Sequence, residues 1–340
     1  MAKFIWIGVG VLVLGATVGG YVLNSGAPPI PKGGCPAAVS LAPYDSDIVA
    51  YADFAALRSS VTQQQMDALT RSPGAAALNQ FVAATNFHLE RDLDHIMVAA
   101  SVESSTGGLV LDGRFDQAKL AEFFTKSGAS MRHFESGDVY LFPSPSPAGS
   151  FAVAFLGPNR LAITGGKAPE TQMLVLEDAA HNPDPAIHED ICLRTSRISG
   201  APVFFVGGVP KSASTLAALA APRDSGLADI LQGLQGWDMG FWADGDSVRF
   251  ALEGEYDGRL DALKARFAFQ KVLDAAHKEM ATTKSSNASE RAALDAFAKN
   301  FAITLDGRYV RLGTSLNRSD MLKLASAAAV TPAAVPYGRR

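Results

Sequence analysis

The chain has 340 residues, 48% of them hydrophobic, and a formal net charge of −4. This suits one large packed domain or two of ordinary size and excludes a disordered chain, while so small an acidic balance gives no support for a nucleic-acid binder, which shows a basic face. Two cysteines, Cys35 and Cys192, are too few for a disulfide-dense mini-scaffold or a four-cysteine zinc site, though they can form one bridge.

Residues 4–23, FIWIGVGVLVLGATVGGYVL, carry no charge over 20 positions, and a bilayer core needs about 20 residues of helix. Lys3 and the N-terminal amine precede this run, and Lys32 is the next charge after it. That bias predicts an N-in, C-out signal anchor occupying residues 1–25, with Trp6 and Tyr21 near the two interfaces. The body then lies on the outer, periplasmic side of a bacterial cytoplasmic membrane. The alternatives are a cleaved signal peptide, which has a shorter apolar core and a small-x-small cleavage site, and lipidation at Cys35. Gly15 and Gly19 form a G-x-x-x-G pair through which two anchor helices can approach closely. Residues 26–38, rich in proline and glycine, read as a stiff spacer.

Past the spacer, one segment recurs. Leu109-Val110-Leu111-Asp112-Gly113-Arg114-Phe115-Asp116 matches Phe250-Ala251-Leu252-Glu253-Gly254-Glu255-Tyr256-Asp257 as apolar-x-Leu-acid-Gly-x-aromatic-Asp. Each copy ends a strand-like run and precedes a helical pattern, so its last aspartate is a candidate N-cap. A third echo, Leu305-Asp306-Gly307, continues as a strand and reads as a tight hairpin. The first α+β repeat spans residues 39–180. It holds a strand over 47–52, helices over 63–69 and 75–85, strands over 95–103 and 108–115, and a helix over 117–127. Four further strands and a helix from Pro169 close it. Residues 181–200 read as a connector. The second repeat, 201–330, restarts with a strand over 202–206 and helices over 212–220 and 227–234. Strands over 238–243 and 247–256, a long helix over 259–280 and a second helix from Ala288 follow. Strands over 301–305 and 309–315 precede a final helix, and residues 331–340 form a tail. The long helix is expected to bury Leu260, Leu263, Phe267 and Val272. The expected fold class is α+β: two similar halves of mainly antiparallel sheet covered by helices, preceded by one transmembrane helix.

Charge divides along the same line. Residues 35–198 carry 19 acidic and 11 basic residues, a net of −8; residues 199–340 carry 15 acidic and 17 basic, a net of +2.

Motifs of the common catalytic classes are absent: no G-x-S-x-G, Walker loop, H-E-x-x-H, C-x-x-C or dinucleotide fingerprint occurs. Neither a cofactor nor a resident metal is expected. His181, His188 and Cys192 are the metal-ligand types that come closest together, with Glu189 and Asp190 between them, on what reads as a solvated loop. Residues 88–95, His-Leu-Glu-Arg-Asp-Leu-Asp-His, offer acids beside imidazoles, so the Glu90–His95 step is the place a hydrolase would use; its simpler role is a charged helix-to-strand turn, with Asp94 matching Asp238. In the Trp237, Phe241 and Trp242 cluster, an outward Trp242 would anchor a partner.

The opening Leu41-Ala42-Pro43-Tyr44-Asp45-Ser46-Asp47-Ile48-Val49-Ala50-Tyr51, with the acid-rich Arg91-Asp92-Leu93-Asp94 step, resembles a loose group of uncharacterised, singly anchored bacterial envelope proteins. The resemblance covers the first half and implies no catalytic residues. The functional expectation is a membrane-anchored binding or scaffold protein of the envelope, an accessory subunit of a membrane complex with a protein partner. The alternatives are a carrier of a lipid or other apolar ligand between two sheets, and the hydrolase.

Overall fold

The computed structural model describes residues 36, 39–43, 46–58, 75–101, 104, 106–134, 137–143, 150–166, 168–182, 189–198, 200–208, 230–244, 247–282 and 300–317. The anchor stretch with Gly15 and Gly19, Cys35, His188, the helices read over 63–69, 212–220 and from 288, the last helix and the tail lie outside these residues. No helix among the described residues is long and apolar enough to cross a membrane.

After a 3-10 turn at Val39–Leu41, the first half runs β1 (Ile48–Asp53), α1 (Phe54–Arg58), α2 (Ala75–Thr85), α3 (Leu89–Asp92), β2 (Leu93–Ser101), β3 (Thr106–Gly113) and α4 (Gln117–Lys126). It continues β4 (Ser130–Phe134), β5 (Gly137–Phe142), β6 (Ser150–Phe155), β7 (Arg160–Gly166) and α5 (Pro169–His181). Then come α6 (Glu189–Arg197), β8 (Val203–Gly208), β9 (Leu234–Asp244), β10 (Ser247–Tyr256), α7 (Arg259–Thr282), β11 (Ala302–Asp306) and β12 (Tyr309–Asn317).

The α+β class stands, but the strands form one sheet. Its order is β11-β12-β10-β9-β8-β1-β2-β3-β7-β6-β5-β4, every pairing antiparallel. The join is β1 against β8, with Tyr51 opposite Phe204. Both strands are buried along nearly their whole length, so neither offers an edge to water. The expected space between two sheets is absent among the described residues: the one sheet's two faces are instead covered by helices.

Register shows how far the halves correspond. The rings of the Tyr51–Phe204 pair at the join are 5.0 Å apart. Counted outward from that pair in sheet order, β2 and β3 hold the places that β9 and β10 hold on the other side, and β7 that of β12. In that count His95 faces Asp112 as Asp238 faces Glu253, and Asp112 faces Arg160 as Glu253 faces Arg311. Gly113 then corresponds to Gly254. The sequence match of Asp94 with Asp238 is one residue off, because a bulge between Leu93 and His95 inserts Asp94 into the strand start.

One face of the sheet packs Ala50, Ala52, Leu93, Val203 and Phe205 under α1, α2 and α4. The other packs Val49, Tyr51, Met97, Phe204 and Val206 under the 3-10 turn, α5 and α6. The long α7 covers β10, β12 and β11, but through Ala262, Ala265 and Ala268, while Leu260, Phe267 and Val272 are exposed. The expected core stripe is therefore inverted. Alanines bring the helix axis close to the sheet, and Tyr256, Val310 and Leu312 fill the volume from below.

Candidate functional site

Two polar centres lie on the α5–α6 side, one in each half. The first is built at the ends of β1, β2, β3 and β7. Asp53 caps α1 by accepting the Ala56 N–H at 2.7 Å. The imidazole of His95 stacks on Tyr51 at 5.8 Å, with Nε2 3.8 Å from Asp53 and Nδ1 3.9 Å from Asp112. Those distances are ion-pair range, too long for hydrogen bonds. Arg160 closes the group by donating from Nε and Nη2 to the two Asp112 oxygens at 2.6 and 3.0 Å. Burial, then the charges of Asp53 and Asp112, push the Tyr51 phenol well above its ordinary range. An open depression of about 380 Å³ lies over His95, Asp112, Arg160 and the Gly157-Pro158-Asn159 turn.

The second centre holds three acids, Asp238, Glu253 and Glu255, all buried. Arg311 donates to Glu253 at 2.9 Å, as Arg160 does to Asp112. Two more arginines come from α6. Arg194 lies over Gly236, where any Cβ would fall 2.3 Å from its guanidinium, and its Nη1 is 2.8 Å from Glu255. Arg197, one turn on, lies 3.6 Å from Glu253 and 3.5 Å from Glu255 and stacks on the Tyr309 ring at 4.3 Å. Arg308 also pairs with Glu255. Asp238 is 1% exposed, and neither carboxylate oxygen has a hydrogen-bond partner among the described residues. Burial, reinforced by Glu253 and opposed by Arg197, Arg194 and Arg311, raises its pKa to about 7.

Helix α6 occupies part of the expected 181–200 connector. A readable helix signal was present: Glu189 and Asp190 in the first turn, Arg194 and Arg197 in the last, each favoured by the helix dipole. Cys192 on this helix is disulfide-bonded, and the sequence holds one other cysteine, Cys35. A bridged sulfur is not a thiolate, so Cys192 is withdrawn as a metal ligand. His181 ends α5 with Nδ1 2.7 Å from the Glu177 carbonyl. Among the described residues no cluster of His, Cys, Asp and Glu is arranged to hold a metal.

The Glu90–His95 step divides between the two faces. Asp92 accepts the His88 N–H at 3.0 Å and two bonds from Arg91 at 2.8 and 2.7 Å. These bonds, led by Arg91, hold its carboxyl below the usual range. Asp94 pairs with Arg58 of α1 at 2.9 Å, and Arg58 also donates to the Glu90 and Leu93 carbonyls. Of this segment His95 reaches the first centre, and Asp94 lines the depression beside it. Trp242 is half-buried rather than outward: its ring lies against Gly240, and the exposed Arg249 guanidinium covers it at 4.4 Å.

No family model and no curated protein matches the chain. Among solved structures it is similar to TP0453. Against that protein's crystal form III the TM-score is 0.48 at 13% identity, over 85% of this chain and 97% of that one. Against crystal form IV the TM-score is 0.48 at 15% identity, over 87% and 97%.

Proposed function

We propose that this protein is a binding or scaffold module of the bacterial envelope, tethered to the cytoplasmic membrane by residues 4–23 with its body on the outer side. It works there as an accessory subunit of a membrane complex, as one of the singly anchored envelope proteins it resembles. The observation that carries the reading is the second centre. Glu253 and Glu255 pair with Arg194 and Arg197 and so join α6 to the sheet, which is how a scaffold uses buried charge; an enzyme leaves such groups facing a cleft. The disulfide at Cys192 fits an oxidising compartment, and the uncharged run after Lys3 fits the tether.

Two measurements test this. Protease added outside spheroplasts should release a soluble body from a membrane-bound chain; a native mature protein that lacks residues 1–23 overturns the tether. Purification of the cross-linked full chain from native membranes in mild detergent should bring a stoichiometric protein partner. Recovery of the chain alone, or with a bound lipid as its sole companion, overturns the scaffold reading.

A further inference from the structure

The body takes up its tether at one place, the middle of the α5–α6 face. The first described residues after the tether, Pro36 and Val39–Leu41, join the core at once. Val39 donates its N–H to the Pro36 carbonyl at 2.8 Å, and Val39 and Leu41 are buried. They belong to the cluster of Val49, Met97 and Phe204 at the β1–β8 join, against which Ala179 and Ala180 of α5 and Ile191 of α6 also pack. Cys35 stands just before Pro36, and as the one other cysteine it is the partner of the Cys192 bond on α6. The chain arriving from the tether is thus fastened twice on this face, by packing and by a covalent bond. Reach then favours one orientation. Eleven residues separate Leu23 from Cys35, and fully extended they span about 40 Å. A sheet with a helix layer on each face is about 30 Å thick. With the α5–α6 face toward the bilayer, the tether has only the gap to cross. With the α4 and α7 face toward it, the tether must pass round the body from the middle of the opposite face. That path is the thickness plus half a strand length, about 40 Å in all, which consumes the whole contour and all the conformational freedom of those residues.

We infer that the α5–α6 face is the membrane-facing surface of the body and the surface that meets a membrane-embedded protein partner. This rests on the tether and the partner of the proposed function and says where they act. Charge points to a protein there rather than to lipid. Residues 169–197 hold six acids and two arginines, and both arginines turn inward to Glu253 and Glu255. Asp178, Glu189 and Asp190 are exposed, as are Leu174 and Leu193. Anionic headgroups repel such a surface. A protein that offers basic side chains around apolar ones complements it.

The test uses the full chain in nanodiscs of phosphatidylcholine and phosphatidylglycerol. An azido amino acid in place of Leu193 on α6, or of Phe267 on α7, carries a fluorophore; both side chains are exposed, 55% and 58%, so the fold tolerates the change. The acceptor is borne on the lipid headgroups. Because the body's ~30 Å thickness separates the two positions, energy transfer from position 193 should exceed that from 267 at least about twofold. Inserting about 20 Gly-Ser residues after Gly33 frees the body to turn and should remove the difference. In native membranes, a photo-crosslinking residue at 193 should capture the protein that copurifies with the chain, and one at 267 should not. Equal transfer from the two positions overturns the inference, as does a difference that survives the longer tether. Capture of the partner from 267 alone, or of lipid alone from 193, overturns it as well. A chain that does not enter the nanodiscs overturns the tether and this inference with it. A chain without a copurifying protein, but with the expected transfer, overturns the scaffold reading and leaves the membrane-facing surface standing.

Discussion

The first and second centres occupy the same register positions, yet one is open and the other is closed. Both keep an acid–arginine pair between the third strand of the half and its neighbour, Asp112 with Arg160 and Glu253 with Arg311. They part at the next position inward, His95 against Asp238, and in what lies above. Among the described residues the first has only the Val39–Leu41 turn before β1, and its histidine keeps about a third of its side chain exposed. The second has α6 before β8, and under that lid a third acid needs extra cations. Buried like charges are tolerated only when paired, and Arg194 and Arg197 supply the pairing from the lid itself. The shared pair belongs to the sheet, whereas the difference follows from the element that covers it.

Removing one arginine from each centre tests that contrast most strongly. Arg194→Ala leaves Glu255 buried with weaker partners and should cost about 3 kcal/mol. Arg160→Ala leaves Asp112 beside an open depression and should cost about 1 kcal/mol. Denaturant unfolding of both variants reads the difference, and equal losses would mean that the lid does not set the energetics.

The matched glycines should differ next. A Cβ at Gly113 would stand 2.4 Å from the Asp92 carbonyl oxygen, a backbone atom that cannot turn aside. At Gly254 it would meet the Leu234 and Tyr256 side chains at 3.1 Å, which can give. Gly113→Ala should therefore cost about 2–3 kcal/mol, and Gly254→Ala under about 1 kcal/mol, by thermal unfolding at one pH.

Much of this was legible because local patterns report local structure. The acid-Gly-aromatic repeat located β3 and β10 and their following helices, and Asp116 caps α4 with its oxygen 3.1 Å from the Lys119 N–H. Asp306-Gly307 makes the predicted hairpin, with Gly307 at φ +59°. The single sheet was not legible, since β1 and β8 read as ordinary buried strands and pairing between them is a long-range event. The α7 stripe misled because apolar spacing marks a helical face without saying which face is buried. There small residues won, since close approach matters more than side-chain size. Arg194 and Arg197 were missed because prolines on one side of α6 suggested a loop, although its charge order fits a helix.

Asp238 gives a pH-dependent version of the comparison. Its folded pKa of about 7 stands above an unfolded value near 4. Below pH 4 both states hold the proton, so the group contributes nothing. Between pH 4 and 7 the folded state holds a proton the unfolded state has lost. Stability therefore falls as pH rises through this window and is lowest above it. Asp238→Asn removes that dependence. Its advantage over wild type should grow by roughly 2.5 kcal/mol from pH 5 to pH 8. Parallel stability curves for the two proteins would show that the α6 arginines keep Asp238 ionised throughout.

The smallest effect is expected at the first centre, and it bears on function as well as stability. His95 touches two carboxylates only at 3.8 and 3.9 Å, and His88 pairs with Glu90 at 3.3 Å on the surface. Exposed pairs of this kind contribute little, because water and salt screen them. Asp53 is occupied in capping α1 and Asp112 in holding Arg160, so neither is free to orient an imidazole as a general base. The double variant His88→Gln, His95→Gln should unfold within about 1 kcal/mol of wild type. It should also complement a deletion strain as fully as the native chain at equal membrane level. Failure to complement, with folding intact, would make the open centre an active site, and the Glu90–His95 step would then mark chemistry that the closed centre has lost.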